Sequence, residues 1–176
     1  EYTQGGATER VVVINVHLRS RPEGEPQRIL QARTIQHWIA QSTAVGDNII
    51  LLGDFNTEET GDSTRQESEL GIVSGLETPE TSDDLVDLIL KLAMGSRQTH
   101  RLEGKQFDRI FCSQSLLEDD PSKPDLVFSS IEVLRELAIQ GDEDPLEQHW
   151  EGYWDIPQTE RDLSDHFPVL ATFEMR

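Results

Sequence analysis

The apolar residues of this chain come in short, strand-length runs, and the first two of these runs enclose one segment of helical length. Arg10 to Leu18 is β-branched and apolar through Val11, Val12, Val13, Ile14 and Val16, the pattern of a buried strand. Pro22 to Pro26 is a turn. From Gln27 to Ser42 the apolar residues Ile29, Leu30, Ile35, Trp38 and Ile39 recur at helical spacing, which predicts an amphipathic helix. Gly46-Asp47 ends it, and Asn48 to Leu52 is a second buried strand. Strand, helix and strand over this length form a βαβ-like unit and place the chain among mixed α/β folds.

The rest of the chain is less regular. Residues 56–80 are rich in Thr, Glu, Gly and Ser and predict a loop with one short turn. A second helix is expected from Asp83 to Met94, with Thr81 or Ser82 as its cap and Gly95 as its stop. Gln98 to Leu102 and Gln106 to Ser113 flank Glu103-Gly104-Lys105 and predict a hairpin. Leu126 to Leu137 is a long strand or two short ones. Gly141 to Leu163 is an acidic loop, pinned to the body by Trp150, Tyr153 and Trp154. Val169 to Phe173 is the last strand.

With 176 residues, 35% of them apolar and 28% charged, the chain fits one soluble globular domain. No apolar run approaches the roughly 20 residues needed to span a bilayer. The single cysteine, Cys112, excludes an intrachain disulfide and reads as a buried, inert thiol in an apolar strand; the cytosol fits this usage. A net charge of −19 disfavours non-specific binding to a phosphate backbone. Arg19, Arg21, Arg28, Arg97, Arg101, Lys105 and Arg109 read as a solvated surface.

Four polar clusters interrupt this pattern at the ends of strands or inside them. They are Asn15-Val16-His17, Gly53-Asp54-Phe55-Asn56, Phe107-Asp108-Arg109-Ile110 and Ser164-Asp165-His166. Asn15 and His17 alternate on one strand face, and Asp54 and Asn56 share a side if the extended geometry persists. Carboxylates suit a hard dication, and histidine donates to a phosphoryl oxygen or moves a proton near neutral pH. For Asp54 and Asn56 the bland reading is an Asx turn. For Asp108 it is a strand-edge ion pair with Arg109, although a charged pair inside an apolar strand is costly unless one partner faces a site. His37, His100 and His149 lie outside every cluster and read as ordinary surface or packing histidines.

In this order, N-x-H, G-D-x-N, F-D-R-I and S-D-H resemble the endonuclease/exonuclease/phosphatase superfamily. That family comprises deoxyribonuclease I, the abasic-site endonucleases, sphingomyelinases and inositol-polyphosphate phosphatases. The resemblance implies an α/β (α+β) fold, part of a four-layer α-β-β-α sandwich of the deoxyribonuclease I-like kind. It implies Mg2+ or Mn2+-dependent phosphoester hydrolysis of the phosphodiesterase or nuclease type, by direct attack of an activated water. In that reading Asp54 aligns or deprotonates the water, Asn56 and His17 contact the phosphate, and Asn15 supports them. His166 contacts the scissile phosphate, Asp108 fixes its imidazole, and Asp165 joins Asp54 in holding metal. The substrate is nucleic acid, phospholipid or a small molecule.

The resemblance covers the C-terminal part of the family domain. The glutamate that is the family's principal Mg2+ ligand comes from an N-terminal half with no counterpart here, so 1–176 reads as a single, incomplete domain. Such a chain is expected to turn over weakly or not at all and to expose sheet edges that invite self-association. The alternative implied is a non-catalytic binding module of the same fold.

Overall fold

The computed structural model describes the chain except for residues 1, 5–6, 61–63, 102–103, 124 and 141–150. A short antiparallel ribbon, β1 (Tyr2–Gln4) and β2 (Ala7–Glu9), precedes the main sheet. β3 (Val11–His17) leads through α1 (Glu25–Thr43) to β4 (Asn48–Asp54), which runs parallel to β3. This is the expected strand–helix–strand unit. Pro26 stands in the first turn of α1, where its fixed φ suits the helix and its missing N–H costs nothing. Gly46, at φ 85°, lets the chain turn back towards β4.

The sheet is completed by β5 (Leu85–Asp87) and β6 (Asp108–Ser113), in the order β3-β4-β6-β5, with both later pairings antiparallel. β7 (Leu126–Val133) and β8 (Val169–Met175) form a second, two-stranded antiparallel sheet. Side chains alternate along each strand, so each sheet face carries a different set. Ile49 and Leu51 pack with Ala32, Ile35 and Ile39 of α1 and with Leu70, Ile72 and Val73 of the short helix α2 (Glu69–Val73). Ile110 and Cys112 face the other way, onto Ile131, Val169, Ala171 and Phe173 of the second sheet. The layers are thus helix, sheet and sheet. Burial leaves Cys112 inert, its thiol pushed up to about 12.

Several expectations are corrected. Asp83 to Met94 is not a helix: it gives β5, then a 3-10 turn Leu88–Lys91 and another at Met94–Ser96. Asp87 ends the strand, and its carboxylate caps Ile89 N–H at 3.1 Å. The segment from Gln98 does not pair with Gln106 to Ser113, which lies between β4 and β5 instead. Among its described residues a bridge joins His100 to His166, and Leu102 and Glu103 lie outside the described residues. β3 is half-buried on one face, through Val12, Ile14 and Val16, and largely exposed on the other. The second sheet does not extend over it, and Val13 is 60% exposed.

The arginines are not a solvated set either. Arg28, Arg97, Arg101 and Arg109 are buried. Arg28 pairs with Glu69 at 2.9 Å and donates to the carbonyls of Arg19 and Arg21, fastening α1 to α2. Arg109 pairs with Asp87 at 2.7 Å, not with Asp108, and donates to the carbonyls of Gln106 and Glu59. Of the expected aromatic pins, Trp150 lies outside the described residues and Trp154 is 80% exposed. Tyr153 is half-buried and its hydroxyl donates to the Asp162 carbonyl at 3.2 Å; buried Ile156, and buried Asp162 against Arg101, hold that stretch with it.

Candidate active site

The sheet register brings three of the polar clusters into one row. His17, the last residue of β3, pairs with Asp54, the last of β4, and Asp54 pairs with Asp108, the first of β6. Register partners project to the same face, so three side chains converge at one end of the sheet. Gly53, at φ 132°, makes the approach of β3 and β4 feasible here: a Cβ on it would lie 1.9 Å from the Val16 carbonyl oxygen.

His17 Nε2 lies 3.6 Å from Asp54 Oδ2, with the imidazole largely exposed. The other oxygen of Asp54 accepts a 2.7 Å bond from Asn56 N–H, in an Asx turn that bends the chain and leaves Asn56 at φ 48°. The Asn56 amide donates to the Leu18 carbonyl at 3.1 Å, tying the ends of β3 and β4 together. Burial pushes the Asp54 carboxyl above its usual range, and the neighbouring Asp108 adds to the rise.

His166 arrives from the loop before β8. Its Nδ1 sits 2.9 Å from Asp108 Oδ2, and the carboxylate raises the imidazole above its ordinary value. Ser164 Oγ accepts from His166 N–H at 3.0 Å and shapes the loop. Ligand atoms of Asp54, Asp108 and His166 all lie within 4.8 Å of one another.

The expected pair of metal carboxylates is divided. Asp54 belongs with Asp108, while Asp165 groups with His100 on the other flank of His166. Asn15 is exposed on the His17 face of β3, and no hydrogen bond joins it to the cluster among the described residues. A cavity of ≈ 280 Å³, lined in part by His17, Gln31 and Trp38, opens beside the row. A larger one of ≈ 450 Å³ lies at the opposite end of β4, near Asp47, Asn48 and Ser113, away from these histidines.

Sequence reasoning missed two residues. Thr99 is fully buried. Its hydroxyl accepts from Asp108 N–H at 3.0 Å, and its carbonyl accepts from Phe167 N–H at 2.8 Å. One threonine thus sets the spacing between the carboxylate and the histidine it holds. His100, read as an ordinary histidine, is 4% exposed and stacks edge-on to His166 with ring centroids 4.7 Å apart. No local signal marks His100, whose place beside His166 comes from a bridge between distant segments.

No protein-family model matches the chain, and no curated protein matches its sequence. Solved structures do. D. rerio TDP2 complexed with a single-strand DNA product shares 17% identity at a TM-score of 0.57, over 98% of this chain and 58% of that one. The human Nocturnin catalytic domain with bound sulfate gives 18% and 0.57, over 100% and 50%. The Xenopus laevis APE2 catalytic domain gives 18% and 0.52, over 94% and 50%. The chain has the deoxyribonuclease I-like fold. It spans between 50% and 58% of the length of these three structures.

Proposed function

We propose that the chain carries the water-activating and phosphate-binding part of a metal-assisted phosphoester hydrolase. The observation that carries this reading is the row His17, Asp54 and Asp108, with His166 held on Asp108 at 2.9 Å. Four clusters far apart in sequence meet there, and each supplies a group that phosphoryl transfer to water uses.

Asp54 accepts and orients the attacking water, and its raised pKa suits it to take a proton. The Asn56 backbone N–H fixes that carboxylate from behind. His166 donates to a phosphoryl oxygen, and Asp108, on its Nδ1 side, sets its tautomer and orientation. His17 supplies a second donor from the exposed side. Asn15 borders the same face as a substrate contact.

A dication fits the donor set. Asp108 lies close enough to Asp54 to disfavour the charge on Asp54, and a cation held there would relieve this. Mg2+ or Mn2+ would take the two carboxylates and waters. When bound, the ion neutralises phosphoryl charge and acidifies water. The fold neighbour bound to a DNA product supports a nucleic-acid ester as substrate, and the net charge of −19 restricts that to specific rather than general binding.

The test is hydrolysis of an aryl phosphodiester by the chain, with Mg2+, with Mn2+ and with chelator, beside His166→Ala. Slow, metal-dependent turnover that falls at least about 100-fold in the variant is expected. Turnover equal to that of the variant under every condition would make the chain a binding module of this fold.

A further inference from the structure

We propose that His100, Asp165 and His166 form a second cation site, selective for a transition-metal dication of the Zn2+ type, whose occupation withdraws His166 from phosphate. Ligand atoms of the three residues lie within 4.8 Å of one another. His100 Nε2 is already 3.6 Å from Asp165 Oδ2. Tetrahedral zinc, about 2.0–2.1 Å from each nitrogen or oxygen, sets its ligands about 3.3 Å apart. Only small side-chain movements separate the observed spacing from that geometry.

The donor set argues for the metal. Two imidazoles and one carboxylate, with a fourth position left to water, suit Zn2+ and Co2+ and are poor for Mg2+, which wants oxygen. On the other flank of His166 the balance reverses, with two carboxylates and a single imidazole. One histidine therefore stands between a site for hard cations and a site for softer ones.

The surroundings favour a fixed site. His100 is buried against Phe107, with ring centroids 5.1 Å apart. The Asp165 backbone carbonyl accepts from Arg101 N–H at 2.9 Å, which holds the loop against the His100 segment.

The consequence for His166 holds for either ring nitrogen. A metal on Nδ1 displaces Asp108. A metal on Nε2 leaves Nδ1–H on Asp108, the pairing that metal-bound histidines use, but occupies the nitrogen that would face phosphate. Both outcomes silence the imidazole.

Co2+ titration of the chain, followed by visible absorption in the absence of substrate, tests this directly. The wild type is expected to give saturable d–d bands at one equivalent, persisting in millimolar Mg2+ and abolished by Zn2+. His100→Phe, which keeps a ring against Phe107, and Asp165→Asn should each weaken Co2+ binding by more than about tenfold. Asp54→Asn should leave it unchanged. Circular dichroism of each variant confirms folding. Absence of the bands, their loss to Mg2+, or full binding by folded His100→Phe would each overturn the site. Because the readout needs no turnover, failure of the hydrolase reading leaves this result intact, and the reverse holds too.

Discussion

At the scale of single residues, the bond between His166 and Asp108 controls the chemistry assigned to the site. The carboxylate raises the imidazole pKa against a burial effect that lowers it. Asp108→Asn removes the first effect and keeps the second. We predict that the His166 pKa, followed by NMR of its ring carbons, falls on that substitution. The sign for stability follows from linkage. A histidine whose folded pKa is raised contributes stability that is full below its unfolded value, about 6.5, and is lost as pH rises through the folded value. Wild-type stability should therefore decline above about pH 6.5 more than that of Asp108→Asn, measured by urea unfolding across that range. Equal slopes would show that the pairing does not persist in solution. Asp54, Asp108 and His166 were legible in the sequence because each ends or interrupts an apolar run. His100 was not, because nothing local separates a packing histidine from one brought to a site by its neighbours.

At the scale of elements, β5 and β6 show what pattern reading lacks. Leu85, Val86, Leu88 and Ile89 satisfy a helical spacing as well as a strand that bends into a 3-10 turn. The tertiary partner decides: Arg109 of β6 draws Asp87 into a buried ion pair at the end of β5. The same guanidinium donates to two loop carbonyls, so it fixes β5, the Gln106 turn and the loop after β4 together. Removing one member of such a pair strands the other charge in the interior. Arg109→Met should cost about 3–5 kcal/mol in chemical denaturation, whereas Lys105→Met, at an exposed pair with Glu58, should cost less than about 1 kcal/mol. Comparable small losses at both positions would contradict the structural role of Arg109. β3, α1, β4 and β8 were legible because their apolar periods are long enough to have one solution. The placing of residues 98–101 beside His166 was not, since pairing across 66 positions, from His100 to His166, leaves no local trace.

At the scale of the whole molecule, the two sheets do not match in extent. The four-stranded sheet carries β3 at one end, while only two strands stand opposite. Val13 is left exposed on the face that β4 and β6 bury with Ile50 and Ile110. An edge strand with an uncovered apolar side chain is a template for association. We predict that the sedimentation coefficient rises with protein concentration and that Val13→Lys suppresses the rise. A wild-type chain that stays monomeric throughout would contradict this. No described helix is long and apolar enough to cross a membrane.

The proposed convergence of the four polar clusters on one phosphate position is tested most directly by diffraction from crystals soaked in tungstate, a phosphate mimic with a strong anomalous signal. The expected result is one peak within hydrogen-bond reach, roughly 3 Å, of both His17 and His166, lost in His166→Ala crystals. A peak elsewhere on the molecule, or none at the end of the β3, β4 and β6 row, would contradict the assignment of this site to phosphoester chemistry.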